Sequence, residues 1–111
     1  MIPFFMPVAS LWAQTPTPVP VLTWRCDLTH AGQNTAGTAL TPANVNVNSF
    51  GKLFSHSVDS TMYSQPLYVP GLKMSDGLVH NVLFVATEND SIYAFDADSN
   101  SGANANPIWE G

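Results

Sequence analysis

The sequence predicts an all-β chain organised as one four-stranded antiparallel unit behind an irregular N-terminal extension. Three observations predict it. Residues 82–86 (Val-Leu-Phe-Val-Ala) form a continuous apolar run rich in β-favouring residues, so both faces of that strand demand burial. Glu88-Asn89-Asp90-Ser91 interrupts the run with residues that accept turn geometry, and an apolar strand resumes over residues 91–95. Charged residues make up only 10% of the 111-residue chain while Asn, Ser and Thr abound, the composition of an extracytoplasmic β protein rather than of a charged helical one. A hairpin that is sticky on both sides cannot stand alone in water and must sit between two further layers.

Residues 1–13 (Met-Ile-Pro-Phe-Phe-Met-Pro-Val-Ala-Ser-Leu-Trp-Ala) are apolar and too few to span a bilayer as a helix. They resemble the hydrophobic region and cleavage end of a secretory signal, with a cut between Ala13 and Gln14. No Lys or Arg precedes the run, and Pro3 and Pro7 interrupt it. Either the true start lies upstream or the segment is an apolar tail. Residues 14–22 read as a linker: prolines alternate at 16, 18 and 20, favouring a semi-rigid polyproline II spacer or a disordered leader. Residues 23–49 keep neither a helical nor a strand period. Gly32, Gly37 and Pro42 among many Asn and Thr predict an ordered loop lead-in, with Thr41-Pro42-Ala43-Asn44 opening a single helical turn.

Residues 50–58 (Phe-Gly-Lys-Leu-Phe-Ser-His-Ser-Val) predict a first strand, with Leu53, Ser55 and Ser57 on one face and Phe54, His56 and Val58 on the other. Asp59-Ser60-Thr61 reads as a turn and residues 62–69 as a second strand. Pro66 removes a ladder donor there, placing that strand at an edge or giving it a bulge. Residues 70–77 read as a loop. The central hairpin follows, ended by the polar run 96–102, and residues 106–110 begin a further strand. The spacing is that of one four-stranded blade, and only one such unit fits in the chain.

Residues 83–97 (Leu-Phe-Val-Ala-Thr-Glu-Asn-Asp-Ser-Ile-Tyr-Ala-Phe-Asp-Ala) followed by Trp109 resemble the repeat of quinoprotein-like (PQQ-like) β-propellers. Tyr93, Ala94, Phe95, Asp96, Ala97 and Trp109 match that repeat in type and order. Phe50-Gly51-Lys52-Leu53-Phe54 and Gln65-Pro66-Leu67-Tyr68-Val69 are similar to the family's opening of a blade, and Trp24-Arg25 with Asp27 and Gly32 to the lead-in of secreted bacterial members. The stretch before Trp109 is longer than the family's compact Thr-Gly turn. The resemblance implies an all-β fold with one four-stranded antiparallel propeller blade plus a ring-closing strand at residues 52–58. It implies that residues 50–111 are the first, truncated blade of a longer secreted or periplasmic protein, whose further blades cover this one. The functions it implies are a non-catalytic protein- or ligand-binding platform at the cell envelope, with envelope proteins as partners, or the N-terminal piece of a PQQ-dependent dehydrogenase. In the second case PQQ and calcium would be held by the full-length parent.

Composition narrows the partners. Three Lys and Arg stand against eight Asp and Glu, a formal net charge of -5, and Arg25, Lys52 and Lys73 are scattered. Neither nucleic acid nor an anionic membrane surface is an expected partner, since both need clustered cations. The lone Cys26 permits no intrachain disulfide and has no His or Cys at metal-ligand spacing. The sharpest constellation is Asp96-x-Asp98-x-Asn100-x-Gly102, whose alternating oxygen ligands suit calcium. Against an EF-hand loop it is imperfect, with Ser101 at the sixth position and Pro107 at the twelfth, and an Asx-rich strand connection explains it better. Asn89-Asp90-Ser91 fits a glycosylation sequon but lies in the tight turn, which also accounts for Glu88 and Asp90. His30, His56 and His80 stand without spaced partners and read as structural or exposed. The expectation for this chain is therefore no catalytic, cofactor-binding or metal-ligating residue.

Overall fold

The computed structural model describes residues 17–111. The expected signal and the first three linker residues lie outside the described residues. The fold is all-β: β1 (Leu67–Lys73), β2 (Val79–Ala86), β3 (Ile92–Asp96) and β4 (Trp109–Glu110) form one four-stranded sheet in the order β1-β2-β3-β4. Every pair is antiparallel, so the chain runs as a simple meander. Among the described residues no helix is long and apolar enough to cross a membrane.

The apolar run of β2 supplies both faces of the sheet. Leu83 lies opposite Phe95 and Val85 opposite Tyr93, while Val82 lies opposite Asp96 and Phe84 opposite Ala94. Because side chains alternate along a strand, the first set shares one face with the odd-numbered residues and the second set shares the other. Val82 and Ala94 are fully buried and Phe95, Val85 and Tyr93 nearly so. The turn expected at residues 88–91 joins β2 to β3, closed by the Thr87 amide donating to the Ser91 carbonyl at 3.0 Å. Asp90 adopts a left-handed φ of 60°, the third-residue geometry of a three-residue hairpin loop.

The structure corrects two expectations upstream. Residues 50–58 are not a strand: they run extended, with no ladder partner in the sheet. The expected alternation is nonetheless real, since Phe54, His56 and Val58 turn inward and the residues between them outward. The segment lies across the odd-numbered face, where Val58 packs against Val85, Tyr93 and Phe95, and makes a lid of side chains rather than a fifth strand. The strand expected at residues 62–69 sits further along, because Pro70-Gly71 belongs to β1 and not to a loop. The β1–β2 register shifts between Val69 and Leu72, and Gly71 takes a φ of 64° within that bulge. A bulge absorbs the missing proline donor, and β1 lies at the sheet edge as a proline-bearing strand must. Val21 bridges Tyr68 through two 2.8 Å backbone hydrogen bonds, tying the linker to that edge.

Residues 23–49 contain turns and no strand or helix. The expected turn after Thr41 is present: its carbonyl accepts from the Asn44 and Val45 amides, and its hydroxyl from Asn44. The connection from β3 to β4 carries a 3-10 turn at Gly102–Ala105 that the sequence pattern did not reveal. β4 then returns beside β3 and places Trp109 opposite Ala94.

Candidate functional site

Three features of the sheet carry chemistry. The first is a cluster at one end of the even-numbered face. His80 lies near the start of β2 and Asp96 ends β3; the Val82–Asp96 pairing sets them diagonally across the ladder. His80 Nδ1 is 2.7 Å from Asp96 Oδ2, and His80 Nε2 is 2.7 Å from Asp76 Oδ2 in the β1–β2 turn. The His80 and Asp96 side chains are each only 9% exposed, and that of Asp76 38%. Asp96 Oδ1 accepts the amides of Asp98 at 2.8 Å and Ser99 at 3.0 Å, an Asx turn that ends the strand.

These contacts set the charge states. Burial works against ionising Asp96, but the His80 ring and the two amides outweigh it and hold the carboxyl below its ordinary range. Asp76 is held low by the Leu78 amide and then by His80. His80 is pushed up by its hydrogen bond to Asp96 and then by that to Asp76, against its partial burial. With both ring nitrogens committed to carboxylates, His80 offers no free nitrogen as a base or a ligand.

The second feature is an anchor beneath the β2–β3 turn. Asp59 Oδ1 accepts the Thr87 hydroxyl at 2.8 Å and Asp59 Oδ2 the Ser91 hydroxyl at 2.7 Å. Ser91, followed by Thr87, holds the Asp59 carboxyl below its ordinary range. Glu88 accepts from Ser60 at 2.8 Å, so Asp59 and Ser60 together clip the covering segment to the hairpin.

The third is an open apolar depression against each face. On the odd-numbered face His56 stacks on Phe95 with ring centroids 4.4 Å apart, and Phe95 on Tyr93 at 5.5 Å. Beside this stack lies an open cavity of about 510 Å³, lined by Phe54, Val58, Met62, Leu83, Val85 and Phe95 among others. On the even-numbered side a smaller groove of about 290 Å³ runs between Trp24, Leu67, Phe84 and Ala86.

The calcium candidates do not converge. Asp96 has both oxygens engaged by protein donors, Asp98 Oδ2 accepts from the Asn81 side-chain Nδ2 at 2.8 Å, and Asn100 Nδ2 reaches away to donate to the Ser55 carbonyl at 3.1 Å. Among the described residues no group of three or more His, Cys, Asp or Glu side chains is placed to hold a metal ion. The constellation is a strand terminator and a fastening for residues 50–58. Asn89 stands exposed in the turn, Cys26 is half-buried in the lead-in, and His30 meets Trp24 edge-on at 5.7 Å. Reading the residues singly missed the partners of His80, since Asp76 lies across a turn and Asp96 across a strand pair.

A comparison of the chain with protein-family models, with curated proteins and with solved structures finds no match.

Proposed function

We propose that this chain is a blade of a quinoprotein-like β-propeller and serves as a non-catalytic binding platform outside the cytoplasm. One observation carries the reading: a sequential four-stranded meander has apolar residues on both faces, and an open apolar depression lies against each beside its buried centre. Leu83, Val85 and Phe95 line an open cavity on one side, and Leu67, Phe84 and Ala86 a groove on the other. A sheet of this kind completes its burial between two neighbours, as blades do when packed around a ring. The resemblance of residues 83–97 and Trp109 to the PQQ-like repeat points to the same arrangement. Further blades are then the primary partners, and envelope proteins bind the assembled ring. The side chains richest in chemistry, His80, Asp96 and Asp59, spend their polar atoms on strand ends and turns, which favours a platform over an enzyme.

Site-specific photo-crosslinking in the native host tests this. A photoreactive side chain at position 83 or 84 is expected to give adducts with β-repeat sequence in the envelope fraction, from both faces. Adducts from neither face, or a protein confined to the cytoplasm, would overturn the proposal.

A further inference from the structure

His80 on β2 joins the β1–β2 turn to the end of β3, and its two contacts impose a condition on its protons. Each ring nitrogen lies 2.7 Å from a carboxylate oxygen. An ionised carboxylate only accepts, so both nitrogens must donate, and a neutral imidazole carries a single N–H. The arrangement is therefore complete only with an imidazolium at position 80. When that ring loses a proton, one of its nitrogens turns a lone pair toward a carboxylate and that contact fails.

The surroundings decide which contact fails. Asp96 is buried and fixed by the Asp98 and Ser99 amides, so it cannot move away and has little water to replace the His80 donor. Asp76 sits in an exposed turn and is solvated readily. The proton that leaves is thus the one on Nε2. The remaining Nδ1–H stays on Asp96. Opposite His80, β1 presents Leu72, which is apolar. The other charged groups of the packed elements, Lys73 on β1 and Asp98 after β3, form no ion pair with the ring.

Asp76 also holds the turn together. Its Oδ1 accepts the Leu78 amide at 2.9 Å, beside the Gly77-to-Met74 and Met74-to-Leu78 backbone hydrogen bonds, each 3.0 Å. We propose that Asp76, His80 and Asp96 form a proton-operated latch on the β1–β2 turn: with His80 doubly protonated the turn is fastened to the end of β3, and loss of the Nε2 proton releases it while His80 stays bound to Asp96. The latch closes on acidification and opens on alkalinisation. It stands on the contacts of this sheet alone and is independent of the propeller reading.

Nitrogen-15 imidazole spectra and amide hydrogen exchange of the full chain, each recorded across pH, test it. Below the transition both His80 nitrogens are expected to carry protons; above it Nδ1 keeps its proton and Nε2 loses it. Protection of the Gly77 and Leu78 amides is expected to fall roughly tenfold through the same transition, beyond the general effect of base, as a charge-assisted contact is lost. In Asp76→Asn the carboxamide still accepts from Leu78 and its NH2 can donate to an unprotonated Nε2. That variant is expected to keep the turn closed at alkaline pH. A neutral form protonated on Nε2, or turn protection with the same pH dependence in the wild type and Asp76→Asn, would overturn the proposal.

Discussion

The His56 imidazole lies flat on the Phe95 ring, 4.4 Å between centroids and 17° from parallel, and its Nε2 donates to the Asp96 carbonyl at 3.1 Å. A residue from the segment upstream of the sheet thereby seals the best-buried aromatic of β3. The covering segment has no ladder partner; it is held by such side-chain contacts, by the Asp59 anchor, by Asn100 and by the Glu88 amide donating to the Thr61 carbonyl just beyond it. Phe95→Ala removes the centre of this stack, and a buried Phe-to-Ala change costs about 3–5 kcal/mol. For one small sheet that is a large share of total stability. We expect loss of cooperative thermal unfolding, measured by circular dichroism.

Ala94 occupies a fully buried position between Phe84 on β2 and Trp109 on β4. Ala94→Leu is expected to destabilise by about 1–3 kcal/mol through overpacking, measured by urea denaturation. Val82→Ala, at the other fully buried site, is expected to lose about 2 kcal/mol.

Asp90 holds a φ of 60° at the third position of the β2–β3 loop. Asp tolerates that region, glycine adopts it freely, and a β-branched residue resists it. Asp90→Val is expected to cost about 1–2 kcal/mol. Asp90→Gly is expected to leave the melting temperature close to that of the parent.

The Asp59 carboxyl is held low by Ser91 and Thr87. A carboxylate with a depressed folded pKa contributes stability above its unfolded pKa and loses it as pH falls through the folded value. The β2–β3 turn is therefore expected to loosen on acidification below the usual carboxylate range. In Asp59→Asn that acid-dependent loosening, followed by amide exchange of Thr87 and Ser91, is expected to shrink. His80 has the opposite sign: its raised pKa adds stability that is complete below the ordinary histidine value and is lost as pH rises through the folded value.

Much of the sheet was legible in the sequence, for identifiable reasons. The run of residues 82–86, the turn at 88–91 and the strand after it are local patterns, and each was found where expected. The alternation of Phe54, His56 and Val58 correctly gave the inward face of residues 50–58, but periodicity cannot distinguish a paired strand from an extended segment lying across a sheet. Pro70-Gly71 reads as a loop signal and was a bulge, because β1 is an edge strand that tolerates the break. The His80 cluster was illegible residue by residue. Asp76 meets it only through the β1–β2 turn, and Asp96 only through the β2–β3 register.

The central claim is that this sheet has two apolar faces, each left open to a further layer beside its buried centre. Fluorescence of a hydrophobic dye such as anilinonaphthalene sulfonate, added to the natively folded chain, tests it most directly. We predict strong binding that falls when Leu83 and Phe84 are both replaced by Ser. A folded wild-type chain that leaves the dye dark would contradict the account.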